Sequence, residues 1–234
     1  MTNAIAITGG TKGIGRAIIN IFADKGFDII TCSRSKADLE GLKAEIKVKD
    51  PNVHFEGIEV DLADKKGVDA FVNFAQTHST GLQVLVNNAG IFVPGQTYSE
   101  EAGVFEKTMN TNVSSAYHIT RGLIHSIMNN KGHVFNMCST ASIMPYTNGG
   151  SYCISKFALL GMTKVLREEM KEHGVRVTAI MPGATLTTSW EGTELPEDRF
   201  INAEDVAHAV WGAYALSERS VVEEIVIRPQ LGDI

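Results

Sequence analysis

Apolar and polar positions in this chain fall into two kinds of run that take turns. Short apolar blocks at 4–8, 27–32, 53–60, 82–86, 132–138, 175–181 and 221–228 read as strands. Most carry little polar interruption, as expected where both faces of a strand are covered. Between them, 16–25, 35–48, 64–77, 100–129, 157–170 and a stretch beginning at 203 place apolar residues at helical spacing. Strand and helix alternate throughout, with no internal repeat, low-complexity tract or linker. The pattern predicts one α/β domain over 1–234, a doubly wound parallel sheet of about seven strands flanked by helices. Ligand sites in such sheets lie at the carboxyl ends of the strands, so the residues that end each apolar block carry the chemical interest.

The first block runs straight into Thr8, Gly9, Gly10, Thr11, Lys12, Gly13, Ile14 and Gly15, and then into a helix. Strand, glycine turn and helix in that order make a dinucleotide site: glycines let the backbone approach a pyrophosphate, and the helix N-terminus attracts its charge. The spacing Gly9, Gly13, Gly15 is not Gly-x-Gly-x-x-Gly. The second block ends in Ser33 and Arg34. Many NAD enzymes have a carboxylate there for the ribose 2′-hydroxyl. Here none repels a 2′-phosphate, and a guanidinium can grip one in two places. Lys12 is a second cation on that side. The plainer alternative makes Arg34 a solvent residue capping the strand. The third block ends in Asp61 and Leu62, where Asp61 also suits a helix cap before Ala63. The fourth ends in Asn87, Asn88, Ala89 and Gly90, which as sequence alone is a turn.

The fifth block leads into Ser139, and a helical pattern follows Gly149, Gly150 and Ser151, which offer a flexible entry and a possible cap. Tyr152 and Lys156 stand four apart, so they share a helical face. An ammonium beside a phenol favours the phenolate, and such a tyrosine can pass a proton to or from a carbonyl oxygen. Ser139 is placed to bond the same oxygen. Taken alone, the pair also fits an ordinary helix surface.

Taken together these motifs resemble the short-chain dehydrogenase/reductase family, in particular its NADP(H)-preferring members. Ser139, Tyr152 and Lys156 look like its catalytic triplet. The glycine turn, Asn88 to Gly90, Asn112, and Pro182 with Gly183 match its other motifs in order. The resemblance covers nearly the whole chain and implies a Rossmann-type strand order 3-2-1-4-5-6-7. It implies that Asn112, rather than Asn110, holds a water relaying protons toward Lys156. Asp61 would meet the adenine amino group. Asn88 to Gly90 would lie beside the cofactor, and Pro182, Gly183, Thr185 and Thr187 would face the nicotinamide. Lys156 would also bind the nicotinamide ribose. The expected activity is NADPH-dependent reduction of a ketone or aldehyde to an alcohol, reversibly, in a homodimer or homotetramer paired through the helices near 100–129 and 150–172. The reading from another class is an NADP(H)-binding regulator without turnover.

Substrate contacts are expected from the loop 188–202 with Trp190, and from a mixed apolar and aromatic pocket of Ile91, Phe92, Val93, Pro94, Ile143, Met144 and Tyr146. Many relatives end in a Gly-Gly-rich tail; this chain ends differently, and its run from Glu223 to Pro229 is similar to that of sepiapterin-reductase-like members. Composition narrows the rest. Net charge is −6, which suggests no basic surface for nucleic acid. No window approaches roughly 18 consecutive apolar residues, so no membrane span is expected. The first residues enter a strand at once, without the regions of a signal peptide. Cys32, Cys138 and Cys153 are odd in number and lack metal spacing, which fits a reducing cytoplasm, and the seven histidines form no ligand pattern, so no metal site is expected.

Overall fold

The computed structural model describes residues 3–79, 81–187, 190 and 192–234. Seven strands, β1 (Ala4–Thr8), β2 (Asp28–Ser33), β3 (Phe55–Glu59), β4 (Leu82–Asn87), β5 (His133–Met137), β6 (Arg176–Pro182) and β7 (Glu224–Ile227), form one sheet in the order β3-β2-β1-β4-β5-β6-β7. Every neighbouring pair is parallel. This is the expected fold and order. β1 and β5 are buried at every position, the reason their sequences run apolar without alternation.

Among the described residues, seven α-helices cover the two faces. α1 (Gly13–Asp24), α2 (Lys36–Lys49) and α7 (Ala203–Tyr214) share one core with Ile5, Ile7, Val84 and Phe135. α3 (Lys65–His78) and α5 (Ser115–Asn129) share the opposite core with Ala6, Ile30, Leu85 and Val134. α6 (Gly150–Met170) packs beside them through Leu159 and Leu160 against Ala179 and Met181. α4 (Val104–Met109) is short. Among the described residues no helix is long and apolar enough to cross a membrane.

Four local expectations change. The stretch 100–129 is not one helix: α4 passes into a π-helical turn, Asn110–Ser114, before α5 begins. One residue too many for α geometry is accommodated there, and Asn112 sits in it. The final strand spans four residues rather than 221–228. Val222 is held outside the ladder, its carbonyl accepting the Thr178 hydroxyl at 2.5 Å. The cap of α3 is Asp64, which accepts from Lys66 N–H, while Asp61 accepts from Ala63 N–H at 2.9 Å and braces the turn before it. Ser151 does not cap α6; it lies inside the helix, and a distant carboxylate serves instead, as described below. Of the expected substrate loop 188–202, Thr188, Ser189 and Glu191 lie outside the described residues.

Candidate active site

A cleft of about 990 Å³ opens along the carboxyl ends of the strands. Of the catalytic and cofactor residues expected, all but Asn112 line it: Gly9, Thr11, Lys12, Gly13, Ile14, Gly15, Ser33, Arg34, Asp61, Leu62, Asn88, Ala89, Gly90, Ser139, Tyr152, Lys156, Pro182, Gly183, Thr185 and Thr187. One concavity therefore gathers segments separated by well over a hundred residues of chain.

The glycine turn crosses the top of β1. A Cβ on Gly15 would stand 2.4 Å from the Gly9 carbonyl and 2.6 Å from Asn88 Nδ2, so no side chain fits there. α1 starts without any side-chain cap, which leaves its first N–H groups free for an anion. Asn88 ties the end of β4 to this turn: its Nδ2 donates to the carbonyls of Thr8 at 2.9 Å and Gly9 at 3.1 Å, while Thr8 Oγ1 accepts from the N–H groups of Asn88 and Ala89. At the end of β2, Ser33 Oγ accepts from Thr11 Oγ1 and Ser35 N–H. Arg34 is exposed, and among the described residues no ion pair engages it. Lys12, the second cation on that side, has a partner: its Nζ lies 3.1 Å from Asp38 Oδ2.

The catalytic candidates converge from three directions. Ser139 follows β5 and is 9% exposed. Its hydroxyl accepts from Ala141 N–H at 3.1 Å and starts the short 3-10 turn Thr140–Ser142. Lys156, only 5% exposed, donates from Nζ to the Met137 carbonyl at 2.7 Å. That nitrogen stands 5.6 Å from the centre of the Tyr152 ring. Burying an ammonium is costly unless it is bonded; the carbonyl at the end of β5 provides one acceptor and fixes the direction of the side chain.

Asn112, the residue the resemblance singles out, is buried, and Asn110 is exposed. Asn112 does not bond its own helix. Its Oδ1 accepts from Ile91 N–H at 2.8 Å; its Nδ2 donates to the Ile91 carbonyl at 3.0 Å and to Ser155 Oγ at 3.0 Å. Ser155 Oγ donates in turn to the Tyr152 carbonyl at 2.7 Å. The π-helical turn thus aims an amide at α6 and at the loop after β4. The same loop supplies Phe92, whose ring meets Tyr152 edge-on at 4.9 Å.

The far end of that loop holds the start of α6. Glu100 accepts from Ser151 N–H at 2.7 Å and also from the Ser151 hydroxyl. A Cβ on Gly150 would lie 2.0 Å from Glu100 Oε1, and the residue has φ +31, so glycine makes room for the carboxylate. A negative charge at a helix N-terminus is favourable, and this one acts one residue before Tyr152. The sequence offered no signal for it, because the partners are 51 residues apart.

The wider pocket contains Ile91, Phe92, Met144, Tyr146 and Trp190 as expected, but Val93, Pro94 and Ile143 do not line it. Unforeseen lining residues include Asp38, Lys107, Thr111 and Asp233. Asp233 comes from the chain's last segment and pairs with Arg228. Burial, with Tyr152 and Cys153 adding, raises the Tyr146 phenol above its ordinary range, so it stays a neutral donor. Burial pushes the Cys32 thiol up to about 12 and also raises Cys138, against the opposing charge of Lys156. All three cysteines are free and buried.

Comparison with known proteins shows the same fold and the family. Residues 3–198 match the family model described as short chain dehydrogenase. A sepiapterin reductase of Chlorobaculum tepidum is 32% identical, the match covering 100% of this chain and 99% of that protein. Among solved structures, L-sorbose reductase from Gluconobacter frateurii complexed with NADPH and L-sorbose superposes with a TM-score of 0.88 at 25% identity, covering 98% of this chain and 96% of the other. A metagenomic short-chain oxidoreductase in complex with NADP superposes with a TM-score of 0.84 at 25% identity, covering 98% and 97%.

Proposed function

The chain belongs to the short-chain dehydrogenase family, and from that premise we propose that it is an NADP(H)-dependent oxidoreductase that reduces a ketone or aldehyde to an alcohol, reversibly. The observation that carries the reading is one cleft lined by the glycine turn, Arg34, Ser139, Tyr152 and Lys156 together. The residues fit the cofactor: Gly9, Gly13 and Gly15 line the cleft without side chains, α1 begins without a side-chain cap, and no carboxylate ends β2. NADP(H), when bound, supplies or takes the hydride. Lys12, Arg34 and Ser33 hold the 2′-phosphate side, Asp61 and Leu62 the adenine side, and Asn88 to Gly90 the middle. Pro182, Gly183, Thr185 and Thr187 hold the nicotinamide side.

Tyr152 gives its phenolic proton to the oxygen that becomes the alcohol, and takes it back in the reverse direction. Ser139 orients the same oxygen by a hydrogen bond. Lys156, fixed on the Met137 carbonyl, keeps a positive charge beside the phenol and holds the nicotinamide ribose. Asn112 keeps the loop after β4 and α6 in register and holds a water between Lys156 and solvent. We treat the chain as one domain working in the cytoplasm, consistent with three free, buried cysteines. We also propose self-association through α4, α5 and α6, which leave Phe105, Tyr117, Ile154, Phe157 and Val165 exposed. Leu123, Ile127, Leu160 and Met170 on the same helices are buried within the chain. A monomeric mass by light scattering at micromolar concentration contradicts this last point.

The decisive experiment is NADPH oxidation followed by absorbance across a panel of carbonyls. Sepiapterin and L-sorbose head the panel, because relatives act on or bind them, followed by simple ketones and aldehydes. Turnover of any member supports the reading. Tight NADPH binding with no turnover of the panel favours the regulator instead.

A further inference from the structure

The cofactor preference itself has a structural brake, an inference that rests on the NADP(H) reading above. The wall of the cleft near the end of β2 carries three charged side chains: Lys12 from the glycine turn, Arg34, and Asp38 from the first turn of α2. Lys12 Nζ and Asp38 Oδ2 are 3.1 Å apart, with the lysine side chain 61% exposed and the aspartate 33%. Asp38 is rooted at the helix start by its N–H bond to Ser35 Oγ at 3.2 Å. The side expected to receive a 2′-phosphate therefore presents two cations and one anion.

We propose that Asp38 is a specificity-determining residue that weakens discrimination for NADPH over NADH. It acts as an internal counterion for Lys12 and sets a carboxylate beside the 2′ position of the bound ribose. A phosphate carrying close to two negative charges must draw Lys12 away from that carboxylate and tolerate its repulsion. A 2′-hydroxyl meets neither demand. The brake acts on the phosphate alone, so it moderates NADPH affinity, and cofactor exchange stays faster than two free cations would permit. An acidic residue in a first helical turn also favours α2. That role is equal for both cofactors, so the ratio of their affinities separates the two roles.

The test compares wild type with Asp38→Asn by equilibrium titration of NADPH and NADH, read by nicotinamide fluorescence at low ionic strength. The variant binds NADPH roughly three- to tenfold more tightly, while NADH affinity stays within about twofold. The variant's preference also falls more steeply with added salt, because the subsite has gained one net positive charge. Lys12→Met weakens NADPH binding more in the Asp38→Asn background than in wild type. An unchanged affinity ratio, even with a lower melting temperature, confines Asp38 to the helix start and overturns the inference. Weaker NADPH binding in the variant also overturns it, by making Asp38 a prop that presents Lys12. If wild type binds neither cofactor, the proposed function falls first and this inference with it.

Discussion

The two ends of the cleft are built on different principles. At the glycine turn the working surface is largely main chain from one short segment: the N–H groups at the start of α1, which no side chain caps, and a turn packed so closely that Gly15 admits no Cβ. At the catalytic end the working surface is side chain. Ser139, Tyr152 and Lys156 come from β5 and α6, while Asn112 and Glu100 brace them from the π-helical turn and the loop after β4. The first end takes its form chiefly from the turn itself, braced by Asn88 at the end of β4. The second depends on contacts across the fold. Its proton donor can therefore be changed without altering the contacts at the glycine turn.

The sharpest way to break this comparison is Tyr152→Phe. The ring and its contact with Phe92 remain, and only the proton donor is lost. Turnover falls by roughly 10²–10⁴-fold, while NADPH affinity, measured by fluorescence titration, stays close to wild type. Unchanged turnover would sink the assignment of Tyr152. A matching loss of NADPH binding would show that the two ends are not separable.

A smaller effect comes from the other end. Ser33→Asp with Arg34→Ile removes the guanidinium and adds a carboxylate where the 2′-phosphate is expected. The NADPH preference in kcat/KM drops by about 10²-fold, equivalent to about 2.7 kcal/mol, and moves toward NADH. The maximal rate with NADH on one substrate is unaltered. If wild type already uses NADH equally well, Arg34 is a solvent residue and the preference is misassigned.

The smallest effect belongs to neither end and tests the scaffold between them. His133 lies at the start of β5, opposite Ser139, and is 0% exposed. Thr178 donates its one hydroxyl proton to the Val222 carbonyl, so it accepts from His133 Nε2 at 2.7 Å. Nδ1 is then the bare nitrogen, buried with no partner. Burial, and then the charge of Arg176, hold the imidazole well below its ordinary pKa. The unfolded chain protonates this residue below about pH 6.5, but the folded chain does not. Stability is therefore lost as pH falls below that value, with a slope of up to about 1.4 kcal/mol per pH unit from this group. His133→Gln removes that contribution. Denaturant unfolding between pH 7 and 5 should show a shallower loss for the variant, with NADPH affinity unchanged at pH 7. Identical slopes would exclude His133 as a source of acid sensitivity.

The sequence by itself determined the architecture, because buried parallel strands need uninterrupted apolar runs and amphipathic helices need spaced ones. Both patterns are local. It also determined the glycine turn between β1 and α1, a feature of adjacent residues, and it placed Tyr152 and Lys156 in one helix four residues apart, since helical spacing is local too. Recognising Ser139 and Asn112 as their partners needed the family resemblance, because nothing near either residue marks its role. Tertiary structure decided the rest. It put a π-helical turn at Asn112 where one helix was expected, and moved the cap of α3 from Asp61 to Asp64. It also supplied Glu100 as the cap of α6 across 51 residues. It paired Lys12 with Asp38, and brought Asp233 to the cleft from the last segment. Each of these depends on where two distant segments meet. A charge or an amide in a sequence carries no record of its partner until packing brings the two within a few ångströms.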